Sequence, residues 1–312
     1  MATSGSVDFN RTRDQIIEGA MRLVEAIASG ETPAADETAD AADALNQMVK
    51  AWQAQGIHLW TMTEGTLFLT KGTAKYTLGP SGDHATTSYA ETTLSAAASN
   101  TDTTLTVTSI TGMTASDNIG IVKDDGTFHW TTISGSPSGS TVTLATAIDG
   151  AAASGNTLYT YTSKIDRPLK IIDARREDSN QQEIPFSDIL TRDEYFDLPN
   201  KTTTGLSHQG YYDPQLTNGV LYLWPAPSSI DDIINFTFTR PLEDFDAATD
   251  NPDFPQEWIS ALKFNLAVEI APEYGVTIEK QLNLKGMAKD KLDQVLGFDT
   301  EVSVYFAPEE FW

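Results

Sequence analysis

The stretch HQGYYDPQLTNGVLYLWPAP, residues 208–227, packs four aromatic rings and three prolines into twenty positions. Its second half alternates rings with leucines, so that Tyr222 and Trp224 share one face of an extended chain and the intervening leucines share the other. This alternation predicts a strand that is buried on both faces. Pro225 and Pro227 predict that the strand ends at an edge or a corner of its sheet. A platform of rings that stacks on carbohydrate is the alternative interpretation.

Two other stretches of β-type sequence are expected to join this strand. IINFTFTR, residues 233–240, follows it closely, and TLFLTKGTAKYTLG, residues 66–79, lies far upstream. Lys71-Gly72 divides the upstream stretch into two short apolar runs, which is the pattern of a β-hairpin. We therefore predict that the later strands pair with this hairpin.

A change in composition separates these stretches. Residues 86–162 contain 20 threonines in 77 positions but only seven charged side chains. Pairs of apolar residues recur there at a spacing of two, and the turn sequences Asp125-Gly126 and Ser138-Gly139 separate them. This pattern predicts a small all-β barrel or sandwich. A disordered Ser/Thr linker is the alternative, but a linker would lack the paired apolar alternation.

Helical periodicity governs both ends of the sequence. Thr12 and Gln15 have capping-box spacing and precede an apolar stripe, which predicts a helix over 13–29. Thr32 and Pro33 are typical of the start of a second helix, because Thr caps a helix well and Pro fits its first position. The short link between the two predicts an antiparallel helical hairpin.

The same periodicity predicts two more helices, at 256–271 and 277–296. In the later one, Ile278 and Leu282 are among the apolar residues expected to face inward. Together these patterns predict an α+β protein. It would have a helical core of about four long helices with a small β-sheet, plus an inserted all-β barrel or sandwich domain.

The expected domain boundaries follow from these changes of pattern. Residues 1–85 are predicted to form the N-terminal part of the core, with its helical hairpin and β-hairpin, and residues 163–297 the C-terminal part. Residues 86–162 would form the inserted all-β domain. The remaining segment, 298–312, would be an extended docking tail.

The composition limits the chemistry that this chain could perform. There is no cysteine, which removes disulfides, thiolate metal sites and cysteine nucleophiles. The four histidines are widely separated, and no nucleophile elbow, phosphate-binding loop or dinucleotide fingerprint occurs. We expect no catalytic residue, no cofactor and no metal site. A Ca²⁺ site among the acidic residues of 243–253 is the alternative, although the spacing lacks the glycine and the closing glutamate of an EF-hand.

The formal net charge is −24, from 44 acidic and 20 basic residues. Such a chain repels phosphate, which argues against tight electrostatic binding of nucleic acid but allows DNA to pass along an acidic wall. The N-terminus lacks the apolar segment of a secretory signal. No apolar run approaches the roughly 18 residues of a membrane span, so no membrane interaction is expected.

The last fifteen residues are the candidate for partner binding. They are too short to fold alone, yet they are rich in apolar side chains whose exposure would promote aggregation. The candidate partner-binding residues are Val302, Val304, Tyr305, Phe306, Phe311 and Trp312. Docking on the chain's own fold and docking on a neighbouring subunit or another protein are both open, and the second is preferred.

Six segments occur in a characteristic order: GETPAADETADAADALNQMVKAW, RPLKI, YYDPQ, LYLWPAP, RPLEDF and DFPQEWISALKFNLAVEIAPEYG. Together they resemble the head-to-tail adaptor proteins of short-tailed bacteriophages, also called tail accessory factors or head completion proteins. The resemblance covers residues 13–80 and 165–296. It rests on the ordered set, because no single motif is strongly specific.

This resemblance implies a non-enzymatic structural protein of the virion tail or neck, present in the host cytoplasm during assembly. Its subunits would form a ring, commonly twelvefold, that attaches beneath the portal protein and extends the channel for genome ejection. The implied partners are identical subunits, the portal protein, and tail nozzle or tail fibre proteins, while DNA passes without specific binding. Residues 86–162 depart from the minimal pattern of the family.

Two other functions stay open from the sequence. The β insert of such an adaptor could bind carbohydrate on the host surface, which would make the protein an adhesin as well. Alternatively, the protein could be a virion enzyme that degrades peptidoglycan.

Overall fold

A computed structural model describes residues 4–56 and 59–298 of the chain. The described α-helices are α1 (Arg13–Leu23), α2 (Ala35–Gln55), α3 (Arg192–Asp197), α4 (Ile259–Ile270) and α5 (Ile278–Phe298), and 3₁₀ turns occupy Leu59–Thr61 and Gln256–Trp258. The described strands are β1 (Met62–Phe68), β2 (Lys75–Leu78), β3 (Ala85–Thr86), β4 (Ala90–Thr93), β5 (Thr104–Thr106), β6 (Asn118–Val122), β7 (Phe128–Thr132), β8 (Thr141–Thr143), β9 (Thr157–Tyr161), β10 (Lys170–Glu177), β11 (Glu183–Pro185), β12 (Asp188–Ile189), β13 (Thr204–Gly205), β14 (Gln209–Asp213), β15 (Gly219–Trp224), β16 (Ala226–Pro227) and β17 (Ile233–Thr239).

The chain divides into two compact units. The helical unit combines the described parts of Met1–Thr61 and Leu242–Trp312, and the β unit is the continuous stretch Met62–Pro241. The predicted boundaries on either side of residues 86–162 therefore both fall inside the β unit. Among the described residues, none of the helices has the length and apolar character that a membrane span requires.

The predicted fold class is wrong. The described chain is mostly β, with 17 strands in five sheets and only about 26% helix, and not an α+β protein around a helical core of four long helices. Helical spacing is confined to the two ends of the sequence, except for the short α3. The β unit alternates apolar and polar residues at a spacing of two, which places one face of each strand in a core, and this unit is the larger one.

The first helix is shorter than the predicted 13–29 for a local reason. It ends at Leu23, because Glu25 adopts a left-handed φ of 62°. The N–H of Ala26 bonds to the carbonyl of Met21 at 3.0 Å and the N–H of Glu25 to that of Arg22 at 3.3 Å. These are the two bonds of a Schellman motif. The apolar spacing runs past this end because the residues that follow still pack into the same core.

The helical unit has one hydrophobic core, to which α1, α2, α4 and α5 all contribute. At its centre Trp258 packs against Trp52 and Trp60, with ring centroids 5.8 Å and 5.1 Å away. The predicted capping box of α1 is confirmed, since Thr12 and Gln15 each accept a hydrogen bond from the other's backbone N–H. The second helix begins at Ala35 and not at Pro33, and Glu37 accepts a hydrogen bond from the N–H of Ala34.

The β unit is built on two sheets that share a core. One sheet has the antiparallel order β11-β10-β17-β1-β3, and the other has the order β12-β14-β15-β2. Phe236 and Phe238 from the first sheet and Tyr76, Leu221 and Leu223 from the second belong to one buried cluster. The sheets therefore pack face to face as a sandwich. Strands β13 and β16, which precede β14 and follow β15 in the sequence, form a short parallel pair.

The strand pairing confirms one prediction and corrects another. Strand β17 pairs with β1, and β15 pairs with β2, as expected for the strands of 208–240 and the stretch 66–79. However, β1 and β2 do not form a hairpin, because they belong to different sheets. Gly72, at a φ of 75°, turns the chain from one sheet to the other, and its N–H bonds to the carbonyl of Pro227 at 2.7 Å.

The stretch that was predicted to be a buried strand is buried mainly on one face. Leu221 and Leu223 are fully buried, while Tyr222 and Trp224 on the other face are half-buried. Tyr222 stacks on Tyr211 of the paired strand and contacts Tyr195 of α3. These rings therefore serve mainly as scaffold. The chain turns after Trp224 at a cis peptide bond to Pro225, in agreement with the predicted corner.

Residues 90–161 form their own part of the β unit. Strands β4, β9, β6 and β7 make a four-stranded antiparallel sheet, and β5 pairs with β8. A separate hydrophobic cluster fills this part, with Leu105, Ile119, Ile121, Val142 and Leu158 among its members. These apolar residues come from the alternating pairs of the threonine-rich stretch. Whether this part folds as an independent domain stays a prediction.

Candidate functional site

The six candidate partner-binding residues lie outside the residues that the structure describes. They are Val302, Val304, Tyr305, Phe306, Phe311 and Trp312. Their role therefore stays a prediction. Helix α5 leads directly into them, so its surface is the described surface nearest to these residues in the sequence.

Helix α5 leaves apolar side chains exposed. The exposed fraction is 78% for Ile278 and 65% for Leu282, so the prediction that both face inward is wrong. The helix packs through Leu284, Ala288 and Val295, which are buried, and Leu292 and Leu296 are partly buried against the same core. At roughly 100° per residue, these buried positions lie roughly 120° around the helix from Ile278 and Leu282. The helix thus carries two apolar stripes, of which only one meets the core.

Two lysines extend the exposed stripe. Lys285 and Lys289 lie on the same side of α5 as Ile278 and Leu282, at helical spacing, and both are exposed. Neither forms an ion pair with any residue that the structure describes. We name these four residues the α5 stripe. It is half apolar and half cationic, which is unusual in a chain with a net charge of −24.

A second surface of the helical unit is strongly acidic. Helices α2 and α4 pack together, and Asp40 and Asp43 face Glu269 and Glu273 across an open groove of about 410 Å³. We name these four carboxylates the acidic surface. None of them forms an ion pair within residues 4–56 and 59–298. Ala44 also lines the groove.

The acidic surface affects a neighbouring tyrosine. Burial raises the pKa of Tyr274, and the nearby carboxylates of Glu37, Glu273 and Asp40 raise it further. The contributions of these carboxylates reflect the negative charge concentrated around Tyr274. The carboxylates of such a surface repel one another, and binding of a cationic partner would relieve this repulsion.

A third surface is a groove of about 660 Å³ between α1 and the start of α4. Arg11, Arg22 and Lys263 line it, together with acidic, polar and apolar residues. Gly19 allows the close approach, because a Cβ at this position would lie 2.9 Å from Cδ of Lys263. A glycine in the middle of a helix is the sequence signal for this contact, since glycine weakens helices.

The outer face of one sheet in the β unit is also acidic. Arg175 forms an ion pair with Glu64 and lies 3.3 Å from Glu183 and 3.7 Å from Asp173. Burial lowers the pKa of Arg175, but the hydrogen bond to Glu64 and the surrounding carboxylates outweigh it and raise the pKa overall. The carboxylate of Glu177 accepts a hydrogen bond from Asn235 on the same face. We name this the acidic sheet face.

An aromatic cluster joins residues 90–161 to the rest of the β unit. Trp130 stacks on His84 with ring centroids 3.7 Å apart, and it lies 5.4 Å from the ring of Phe68. Tyr159 and Tyr161 contact Phe68 as well. These rings pack inside the β unit, which gives the aromatic residues of the insert a structural role.

His84 is held neutral in this cluster. Its Nδ1 lies 2.6 Å from the hydroxyl oxygen of Tyr161. Burial, followed by repulsion from the Lys164 ammonium, lowers the pKa of His84 to about 4, although Asp83 opposes the shift. Protonation of His84 therefore opposes the packing of the cluster.

Acidification should destabilise the β unit through His84. The unfolded histidine binds a proton near pH 6.5, while the folded one resists until about pH 4. The stabilisation that neutral His84 gives to the folded state is therefore complete above pH 6.5. It is lost as the pH falls toward 4. Because the ring is half-buried, we expect a loss of roughly 2 kcal/mol and not the full value of the shift.

The substitution His84→Phe tests this expectation, because it keeps a ring against Trp130 without a titratable group. Urea unfolding of both proteins between pH 4 and pH 7.5 should show the additional loss of stability only with histidine. Parallel pH profiles for the two proteins would show that His84 does not contribute.

The other histidines and the acidic loop have local partners. His58 lies outside the described residues, His129 bonds through Nδ1 to Asp149 at 2.9 Å, and His208 Nδ1 lies 3.1 Å from a backbone carbonyl. In the loop considered for Ca²⁺, Asp250 accepts hydrogen bonds from two backbone N–H groups. Lys50 pairs with Asp244 at 2.6 Å. Among the described residues, no three His, Cys, Asp or Glu side chains are arranged to hold a metal ion.

The described geometry thus offers interaction surfaces of distinct chemistry: the α5 stripe, the acidic surface, the groove beside α1 and the acidic sheet face. Comparison with known proteins finds no matching family model and no matching curated protein.

Proposed function

We propose that this protein is a head-to-tail adaptor of a short-tailed bacteriophage. It forms a ring beneath the portal protein, extends the DNA channel and seats the tail. The observation that carries the proposal is the α5 stripe, where a single chain leaves Ile278 and Leu282 in water. Full burial of such a side chain against a neighbour contributes about 1.5–3 kcal/mol. A subunit that works only inside an assembly needs surfaces of this kind.

The resemblance to adaptor proteins supports the same function. Two of its longest segments, residues 30–52 and 253–275, contain most of α2 and all of α4. These helices pack against each other although about 200 residues separate them in the sequence. These two segments therefore belong to the helical unit, which also carries the α5 stripe, while RPLKI, YYDPQ and LYLWPAP lie in the β unit.

The acidic sheet face fits the passage of DNA. Glu64, Asp173 and Glu183 contact Arg175, and Glu177 lies on the same face, so that these four carboxylates outnumber the cations Arg175 and Lys170 there. Phosphate is repelled from such a surface, so that DNA can move past it without being retained. In the proposed ring, this face would line or border the channel.

Binding to the portal protein tests the proposed function. The full chain and portal rings from the same phage are mixed at micromolar concentration, and the product is analysed by native mass spectrometry and electron microscopy. We expect one adaptor subunit for each portal subunit, arranged as a collar on the tail side of the portal. The proposal fails if no complex forms, or if virion images show this chain anywhere other than between the capsid vertex and the tail.

A further inference from the structure

The helical unit presents two unpaired surfaces of opposite charge. The α5 stripe supplies Lys285 and Lys289, and the acidic surface supplies four exposed carboxylates from α2, α4 and the turn after α4. Neither surface has a partner of opposite charge among the described residues. Both lie on the same folded unit, so one copy of the chain offers both of them at the same time.

The α5 stripe is linear, and the acidic surface borders an open groove. The α5 stripe runs from Ile278 to Lys289, which at 1.5 Å per residue is roughly 16 Å. The acidic groove has a volume of about 410 Å³, and Ala44, whose side chain is small, lines it. Of the six residues that line the groove, only Ala44 is apolar, so its main complement to the stripe is the charge of its carboxylates.

We propose that the α5 stripe of one copy docks on the acidic surface of the next copy. This inference rests on the proposed function, because it names the contact between neighbouring subunits of the ring. The two surfaces are different patches of one subunit, so the contact is head-to-tail and can close into a ring. Apolar burial supplies affinity, and the opposed charges fix which surfaces meet.

Charge reversal provides the test. Lys285→Glu/Lys289→Glu makes the α5 stripe negative, and Asp40→Lys/Asp43→Lys makes part of the acidic surface positive. In the first variant alone, two glutamates meet four carboxylates at every contact. In the second alone, the two new lysines meet Lys285 and Lys289, although Glu269 and Glu273 remain beside them. In an equimolar mixture, each copy can alternate with a copy of the other variant, so that opposite charges meet at every contact.

Self-association of the full chains is measured by sedimentation velocity up to about 1 mM, a concentration that detects contacts worth about 4 kcal/mol. Salt at about 0.1 M shortens the range of general repulsion to about 10 Å. We expect each variant to associate at least roughly tenfold more weakly than the original chain, and the mixture to recover. Lys71→Glu/Lys75→Glu in the β unit is the matched control, and it should associate normally.

The outcomes separate this contact from the function on which it rests. If the original chain associates but the reversed variants do too, or if the mixture does not recover, the proposed contact is wrong. A chain that stays monomeric up to 1 mM also overturns it. In each of these cases, portal binding by the original chain would still support the adaptor function, and failure to bind the portal would reject that function separately.

Discussion

Replacing Trp130 with alanine is expected to lower the free energy of unfolding of the β unit by about 3 kcal/mol, the lower end of the range for buried aromatic residues. The ring is half-buried but has close neighbours on both sides. It stacks on His84 at 3.7 Å and lies 5.2 Å from Phe128. It also covers Gly120, where a Cβ would lie 2.5 Å from the ring. Alanine therefore removes contacts with His84, Phe128 and Gly120 together.

Differential scanning calorimetry is the suitable measurement, because the two units need not unfold in one transition. For a unit of this size, the expected loss corresponds to a decrease of roughly 6–12 °C in the melting temperature. Trp224→Ala is the matched control, since Trp224 is also half-buried but has only His208 as a described ring neighbour, at 5.5 Å. The substitution Trp224→Ala should lower the free energy of unfolding by about half as much as Trp130→Ala. Equal losses at the two positions would contradict the role given to the cluster.

Introducing aspartate at both apolar positions of the α5 stripe, Ile278→Asp/Leu282→Asp, should abolish assembly with the portal. Most of each side chain is exposed in the single chain, so its burial in an assembly would supply about 1.5–3 kcal/mol per residue. Losing both contributions weakens binding at least a hundredfold, because each 1.4 kcal/mol corresponds to a factor of ten. The fold itself should change in stability by less than about 0.5 kcal/mol, as is usual for surface substitutions.

A control with the same change of charge is available in the β unit. Leu206→Asp/Leu216→Asp replaces two leucines that are 56% and 95% exposed. Both double variants add two negative charges, so a general electrostatic effect on assembly would appear in both. We expect the control to assemble with the portal as the original chain does. Normal assembly of the α5 variant, measured by native mass spectrometry, would reject the stripe as an assembly surface.

Strand partners could be predicted from the sequence better than the fold class could. Alternation in 219–224 and 233–239 identified β15 and β17, and their pairing with the upstream stretch is found. The balance of helix and sheet was misjudged because amphipathic helices give a clear periodic signal over many residues. Each strand of two to five residues in the threonine-rich stretch gives a weak signal, although the described strands together form five sheets.

The errors in detail have local physical causes. Nothing in Lys71-Gly72 distinguishes a hairpin turn from a turn between two sheets, because the choice depends on distant partner strands. Glu25 ends α1 in a left-handed conformation that glycine or asparagine usually adopts. The residue type at this position therefore gave no signal for the end of the helix. In α5, the spacing of Ile278 and Leu282 is as helical as that of the buried residues, and only the position of α4 decides which stripe is covered.

The candidate surfaces were not accessible from the sequence for a related reason. Asp40 and Asp43 are visible as an acidic helix face, but Glu269 and Glu273 join them only through the packing of α2 on α4. The sequence pointed instead to the apolar residues after α5. That prediction and the α5 stripe concern neighbouring parts of the chain, and they can be tested separately.

The discontinuous helical unit has a consequence for biosynthesis. The N–H of Arg13 bonds to the carbonyl of Asp250, so α1 cannot reach its final setting until the ribosome has passed residue 250. At about 5–20 residues per second, roughly 10–40 s separate the emergence of α2 from that of α4, time in which the continuous β unit can fold first. A nascent chain released early would lack Glu269, Glu273 and the whole of α5. In the proposed ring, only full-length copies would carry both surfaces of the contact, so that fragments would be excluded from assembly.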